Sequence, residues 1–287
     1  MHKDYYKQYQ KEFENFIDQA LKEDLQEGDL TSLSCIDTQD QSKAQLIVKE
    51  GGILAGLTLA GKICSRYDPQ LKVTPFVQEG ASLNPETIAF TLEGSTRSLL
   101  AVERLVLNTL QRMSGIATRT HELTQKIKHT TCKLLDTRKT TPNFRYPEKW
   151  AVQIGGGFNH RMGLFDAIMI KDNHIDFCGG MQNTLLKTEK FLKNIPKSPE
   201  VIVECRNPEE VAVALKFQWI NRILLDNHSI KELKNAVALV DNRIMTEASG
   251  NITRQNVVDV AETGVNYISM GALTYDAKNI DMSLKAI

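Results

Sequence analysis

The second half of this chain carries a succession of short apolar runs, each closing on a polar or glycine residue: CKLLDT, DAIMIK, VIVEC, RILLD, IMTEA and YISMG. The last four start at Val201, Arg222, Ile244 and Tyr267, and helical stretches such as PEEVAVALKF and TRQNVVDVAETG lie between them. Strand-helix alternation at this spacing predicts parallel strands joined by crossover helices. Six such strands are fewer than the eight of a complete barrel, so a shortened or open α/β barrel is expected over residues 116–275.

The first half reads differently. Phe13, Phe16, Ile17, Ala20 and Leu21 follow helical spacing, so the chain opens with an amphipathic helix that Gly28 and Asp29 end. Three β-like runs follow, AQLIVKE, LKVTPFV and TIAFTLEG, punctuated by Gly51-Gly52, Asp68-Pro69 and Asn84-Pro85. A second helix is expected from 98 to 113, with Val102, Val106, Leu110 and Met113 on one side and a polar stripe of Arg104, Asn108 and Arg112. These elements predict a small α+β sandwich domain over residues 1–115, with Ser114-Gly115 as the boundary. A length of 287 residues suits this two-domain division.

Charge excludes several partners. With 35 basic and 35 acidic residues, no overall field draws the chain to nucleic acid or to a membrane, so any anion site is local. The N-terminus has no apolar core of a signal peptide, and no stretch approaches the roughly 18 apolar residues of a membrane span. The five cysteines form no CxxC pair and no metal spacing, and Cys132 and Cys205 lie in apolar runs. That usage is expected of a reduced, cytoplasmic protein.

In parallel barrels the C-terminal strand ends converge on one face, where chemistry is carried. Here the strands run into Asp136-Thr137-Arg138-Lys139, Lys171, Glu204, Asp226, Glu247 with Ser249-Gly250-Asn251, and Gly271-Ala272. A single strand-end charge is ordinarily just solvated; six polar ends in succession predict a functional face. Arg138, Lys139 and Lys171, with His160 and Arg161 from the loop GGGFNHRMG, concentrate positive charge where a polyanion would be gripped. Glu204 and Asp226 suit ribose hydroxyls or Mg2+, the competing role being an ion pair with the basic cluster. Ser249-Gly250-Asn251, with an expected helix N-cap at Thr253, and Gly271-Ala272 offer backbone N–H groups to a phosphate.

Gly155-Gly156-Gly157 lacks dinucleotide spacing and is expected to act as a hinge delivering His160 and Arg161, while His174 is expected as a buried hydrogen-bonded residue or a ligand. No HExxH, GxSxG, GxxxxGK[ST] or Cys/His pair is present.

LDTRKTTPNFR followed by GGGFNHRMGLFDAIMIKDNHI is a long and specific pattern. With EDLQEGDLTS, EGGILAG, ERLVLNTLQRMSGIAT, VIVEC, RILLDNH, EASGNIT and ISMGALT in order, the chain resembles the quinolinate phosphoribosyltransferase family over nearly its whole length. The resemblance implies an N-terminal sandwich to which the tail 276–287 returns, and a shortened barrel. It implies conversion of quinolinate and phosphoribosyl pyrophosphate to nicotinate mononucleotide, carbon dioxide and pyrophosphate, with Mg2+.

By the same resemblance Thr137, Arg138, Lys139, His160, Arg161 and Lys171 would hold the quinolinate carboxylates and pyrophosphate. Glu204 and Asp226 would hold ribose hydroxyls, directly or through Mg2+, and Ser249, Gly250, Asn251, Gly271 and Ala272 the 5-phosphate. Arg104 would be donated across a homodimer interface. The proton finally added at C2 is left open between Lys139, Lys171 and water. Two alternatives stay open at this point: a related phosphoribosyltransferase acting on nicotinate or another anionic base, and a non-catalytic sensor of a phosphorylated ligand.

Overall fold

Each of the six strands between Lys133 and Ser269 pairs only with parallel neighbours. The computed structural model describes residues 5–287, so residues 1–4 of the expected first domain lie outside the described residues. The chain forms two compact units, one of 1–121, 140–156 and 273–287, the other of 122–139 and 157–272.

The second unit holds one six-stranded sheet. In chain order its strands are Lys133–Leu135, Ala167–Ile170, Glu200–Cys205, Arg222–Asp226, Met245–Ser249 and Tyr267–Ser269. The first strand pairs with the sixth, and pairing then runs back through the fifth, fourth and third to the second. The first and second strands do not pair with each other, so the barrel is open, as the count of six strands predicted. Phe158 makes a parallel bridge to Leu135 on the free edge of the first strand, which satisfies backbone groups there. Apolar side chains such as Val201, Val203, Ile223 and Leu225 are buried. Asn207 caps the helix Pro208–Ala214, and a Ser229–Glu232 capping box starts the helix Ile230–Val240.

In the first unit four antiparallel strands form one sheet in the order Met282–Ala286, Gln41–Val48, Ile88–Ser95, Lys72–Pro75. Ala44, Leu46 and Val48 alternate into the core, which the period-2 pattern requires of a half-buried strand. The C-terminal strand returns to this sheet through Leu46↔Leu284.

Two local expectations are corrected. Helix Thr96–Ile127 runs 32 residues and does not break at Ser114-Gly115. A Cβ at Gly115 would stand 2.0 Å from the Lys278 carbonyl oxygen, so this glycine permits a close backbone approach rather than a helix stop. Residues 140–156, expected within the barrel domain, cluster with the first unit. Their helix Arg145–Ile154 places Trp150 5.4 Å from Phe13 and 5.7 Å from Tyr5 between ring centroids, and this aromatic cluster ties it to the first helices.

No helix among the described residues is long and apolar enough to cross a membrane. Cys132 and Cys205 are buried free thiols, and burial pushes the Cys132 thiol up to about 12 and Cys205 upward too.

Candidate active site

Because all six strands are parallel, their C-terminal ends share one edge of the sheet. Ile170 is level with Val203, so Lys171 and Glu204 leave adjacent strands together, and Asp226 is level with Ser249. The register brings Lys171 beside Glu204, and Asp226, two residues past the partner of Glu204 on the next strand, is near enough for its charge to act there.

The loop carrying His160 and Arg161 is fastened to the end of the first strand. Asp136, fully buried, accepts the His160 amide at 2.8 Å and the Asn159 side-chain amide at 2.6 Å. Asp166 accepts the Met162 and Gly163 amides at 2.7 and 2.9 Å and closes the other side of the loop. In the sequence Asp136 stands only as part of a polar strand end, and its apolar neighbours Leu134 and Leu135 are the signal for a buried side chain.

Arg161 donates to the Ala167 carbonyl at 3.3 Å. Burial, then the neighbouring charge of Arg138, lowers its pKa against the opposing pull of Asp166. Two guanidiniums held close enough to disfavour one another mark a place for an anion. Thr137 accepts the Lys139 amide at 3.0 Å, which turns the chain at the strand end, and the Lys139 side chain is exposed. Lys171 is exposed; its amide donates to His174 Nδ1 at 3.0 Å, so His174 orders the turn after the strand and is itself exposed rather than buried.

Glu204 is buried, and its carboxyl lies above the usual carboxylate range. Burial is the main cause and the Asp226 charge the next, while Lys171 pulls in the opposite direction. Lys171 is near enough to act on Glu204 and does not neutralise the carboxylate pair. No group of three or more His, Cys, Asp and Glu residues is gathered as a metal site among the described residues.

At the late loops, Gly250 has φ +84 and Asn251 φ +50. A Cβ at Gly250 would stand 2.3 Å from Asn227 Oδ1, so only glycine fits. Asn251 Nδ2 donates to Asn227 Oδ1 at 2.9 Å, which engages its side chain and leaves the backbone as its contribution to a ligand. The expected N-cap at Thr253 is corrected: the helix is Val257–Ala261 with Asn256 at its N-cap, and the Asn256 side chain accepts the Thr253 amide at 2.7 Å. Gly271 follows the sixth strand, and Ala272 starts the short helix Ala272–Tyr275.

The hinge expected at Gly155-Gly156-Gly157 is also corrected. A Cβ at Gly155 would stand 2.4 Å from the Ala117 carbonyl oxygen and 2.7 Å from Thr120 Cβ, so this glycine is a close-packed helix contact.

Arg104 belongs to the first unit, apart from this cluster in sequence. It is exposed and lines a cleft of ≈ 590 Å³ with Asn108, Arg112, Thr141 and Asn143. Arg112 is committed within that unit to Glu148 at 2.9 Å and to the carbonyls of Thr274 and Ala277.

Sequence reasoning missed the buried group behind the cationic loop. Glu247 is fully buried, with Arg222 Nη1 2.8 Å from one oxygen and His160 Nε2 3.4 Å from the other. Burial alone would raise the Glu247 pKa; the close approach of His160 and the charge of Arg222 outweigh it and hold the carboxyl below its usual range.

Family models for the quinolinate phosphoribosyl transferase N-terminal and C-terminal domains match residues 29–114 and 116–285. A chloroplastic nicotinate-nucleotide pyrophosphorylase (carboxylating) of Oryza sativa subsp. japonica is 43% identical over 284 residues, 94% of this chain and 76% of that protein. A mitochondrial quinolinate phosphoribosyltransferase (decarboxylating) of Nicotiana glauca is 42% identical over 281 residues, 93% of this chain and 80% of its own. Among solved structures, the nicotinate-nucleotide pyrophosphorylase from Francisella tularensis superposes with TM-score 0.89 at 37% identity over 96% of each chain. Matched across both halves by sequence and over nearly all its length by structure, the chain belongs to the quinolinate phosphoribosyltransferase family.

Proposed function

We propose that this chain converts quinolinate and phosphoribosyl pyrophosphate to nicotinate mononucleotide, carbon dioxide and pyrophosphate, the step of NAD biosynthesis that forms the pyridine nucleotide. The observation that carries the reading is the pairing, on one edge of a parallel sheet, of a mutually repelling Arg138–Arg161 pair with a Glu204–Asp226 pair. The first suits a dianion and the second a ribose. In this reading Arg138, Lys139, Arg161 and Lys171 hold the quinolinate carboxylates and the pyrophosphate, with Thr137 shaping the turn and His160 behind Arg161. Glu204 and Asp226 hold the ribose hydroxyls, and the backbone of Ser249, Gly250, Asn251, Gly271 and Ala272 holds the 5-phosphate.

The chemistry needs positioning and charge compensation more than a nucleophile from the protein. The quinolinate ring nitrogen forms its bond to the ribose anomeric carbon as the bond to pyrophosphate breaks, and the ring becomes a cation. That cation takes up the electron pair left at C2 when carbon dioxide departs, and a proton delivered to C2 completes the product. Lys139, Lys171 and water are the candidates for that delivery.

Mg2+ belongs to the same reading. Two carboxylates that disfavour one another, with the Asp172 charge also acting on Glu204 and no cluster of three or more His, Cys, Asp and Glu gathered as a metal site among the described residues, suit an ion that takes one or two carboxylates and completes its shell with substrate oxygens and water. When bound, it supplies charge neutralisation for the departing pyrophosphate. The test is product analysis with quinolinate, phosphoribosyl pyrophosphate and Mg2+. Nicotinate mononucleotide and carbon dioxide in equal amounts are expected, and none in excess chelator; undiminished turnover in chelator refutes the metal assignment, and no product with any metal refutes the enzyme.

Nicotinate lacks the 2-carboxylate and would leave a cation unpaired, which costs roughly 2–5 kcal/mol, or about 30-fold to several thousand-fold. The kcat/KM ratio of quinolinate to nicotinate measures this, and a ratio within about tenfold would contradict the dicarboxylate assignment.

A homodimer with composite sites completes the reading. Its support is the exposed Arg104, which makes no hydrogen bond or ion pair among the described residues although it lines an open cleft. Mixing Arg104→Ala and Lys171→Ala subunits should restore activity through sites that lack neither group; confirmed mixed dimers without activity would refute the shared site. Cytoplasmic residence is the remaining part of the proposal, supported by the buried unpaired thiols.

A further inference from the structure

We propose that His160 is a positioning residue and not a substrate ligand: a relay that starts at the exposed Glu200 and runs inward through the buried Arg222 and Glu247 fixes its ring so that it holds the backbone of Arg161 in place. This rests on the reading of Arg161 as a quinolinate-binding cation.

The relay runs through the two ion pairs of Arg222 and ends on a close approach of Glu247 to His160 that lies outside hydrogen-bond geometry. Arg222 is 9% exposed and joins Glu200 through Nη2 at 2.5 Å and Glu247 through Nη1 at 2.8 Å, and its guanidinium lies 4.3 Å from the centroid of the Tyr267 ring. Glu247 in turn stands 3.4 Å from His160 Nε2. On the other side of the ring, Nδ1 accepts the Arg161 amide at 2.7 Å. An Nδ1 that accepts carries no proton, so the proton of the neutral ring is on Nε2 and faces the carboxylate. Both ring nitrogens are directed at protein groups, and His160 is 8% exposed.

The arrangement answers a difficulty at the site. Arg161 lies close enough to Arg138 for the second charge to act on the first, so in the free protein the two guanidiniums push apart. The amide of Arg161 is held by His160 Nδ1 and its guanidinium by the Ala167 carbonyl. Fixing the backbone at one end and the guanidinium at the other keeps the cation aimed before an anion arrives, and such preorganisation lowers the cost of binding.

A glutamine at 247 cannot reproduce this. Its one oxygen can serve Arg222 or accept from His160, and its NH2 placed toward His160 would favour a proton on Nδ1, against the Arg161 amide.

The experiment compares His160→Asn, His160→Gln and His160→Leu by steady-state kinetics, with a nitrogen-15 spectrum of the histidine rings of the whole protein. Asparagine places an acceptor near the position of Nδ1; glutamine reaches toward that of Nε2. Positioning predicts that His160→Leu raises the KM for quinolinate at least about tenfold with kcat changed less than about threefold. His160→Asn recovers most of that loss and His160→Gln does not. The ring of His160 should show a bare Nδ1 and a protonated Nε2 with or without quinolinate, and in Glu247→Gln that preference should weaken. Recovery by glutamine in place of asparagine, or a tautomer that changes when quinolinate binds, would overturn the proposal. The tautomer is read without turnover, so a wild type that forms no nicotinate mononucleotide would fail the functional reading alone.

Discussion

The Arg222–Glu247 pair lends itself to a quantitative test because its two members differ in what remains when the other is removed. Glu247 is fully buried, and without Arg222 it keeps His160 at 3.4 Å and the Ser269 side chain but no guanidinium. Breaking a buried pair costs about 3–5 kcal/mol because it leaves an uncompensated charge. Arg222→Met should sit in that range, since methionine fills the volume of the arginine stem and supplies no charge. Glu247→Leu leaves Arg222 with Glu200, whose side chain is 44% exposed, and with the Tyr267 ring, so its cost should fall toward the lower limit, about 3 kcal/mol. The double variant removes both charges and should be near neutral or stabilising by about 1–4 kcal/mol. At about 2–4 °C per kcal/mol, Arg222→Met lowers the melting temperature by roughly 6–20 °C.

Because the chain has two units, hydrogen exchange in the strands Glu200–Cys205 and Met245–Ser249 should accompany the melts. The pH dependence has a definite sign. The Glu247 carboxyl is held below its usual range, so its contribution is complete above the pKa of the unfolded chain, at about pH 5 and higher, and is lost as pH falls through the folded value. Arg222→Met should shift the acid transition to higher pH. An Arg222→Met variant within about 1 kcal/mol of wild type, or a double variant as unstable as the worse single one, would refute the reasoning.

Glu204→Gln should stabilise the free protein by about 0.5–2 kcal/mol at pH 8. A carboxyl raised mainly by burial gives stability when protonated and loses it as pH rises through the folded value, so the gain should vanish toward acid pH, and melting curves across pH check this. The same variant should lose at least about tenfold in kcat/KM if the carboxylate holds the ribose. Gly115→Ala sets helix propensity, worth about 1 kcal/mol in favour of alanine, against a Cβ 2.0 Å from the Lys278 carbonyl oxygen. The contact should win and destabilise by about 1–3 kcal/mol, read as a lower melting temperature and faster exchange in Met282–Ala286; a rise would show that the tail yields freely.

What the sequence revealed was whatever is written locally. Each barrel strand is an apolar run ending in a polar residue or glycine, so both the strand and its functional end were legible, and parallel pairing then required Lys171, Glu204, Asp226 and Ser249 to share one edge. Glycines were read less well because a glycine does not say which of its freedoms is used. At Gly250 the left-handed backbone matters, φ +84, whereas at Gly115 and Gly155 the missing Cβ matters and the neighbour is another backbone segment. Lys278 is far from Gly115 in sequence, so no local pattern could show it.

The same limit applies to charge, and there it bears on function. The strand-end cations are visible because each closes or follows an apolar run, but the group that orders His160 is assembled from Arg222 at the start of one strand and Glu247 within the next. In RILLD and IMTEA the two look like an ordinary strand entrance and an ordinary strand end. Only the parallel register, which sets Met245 beside Arg222 and Glu247 beside Leu224, brings a guanidinium along the sheet to a carboxylate with no exposure to water. Residues that touch a ligand must reach the open edge of the sheet, and sequence can mark them; residues that aim those ligand contacts are chosen by pairing across the sheet. Such a group is expensive to bury and replaceable by hydrophobic residues at little cost to stability. Its place behind Arg161 is therefore explained better by the orientation of that cation than by the stability of the sheet.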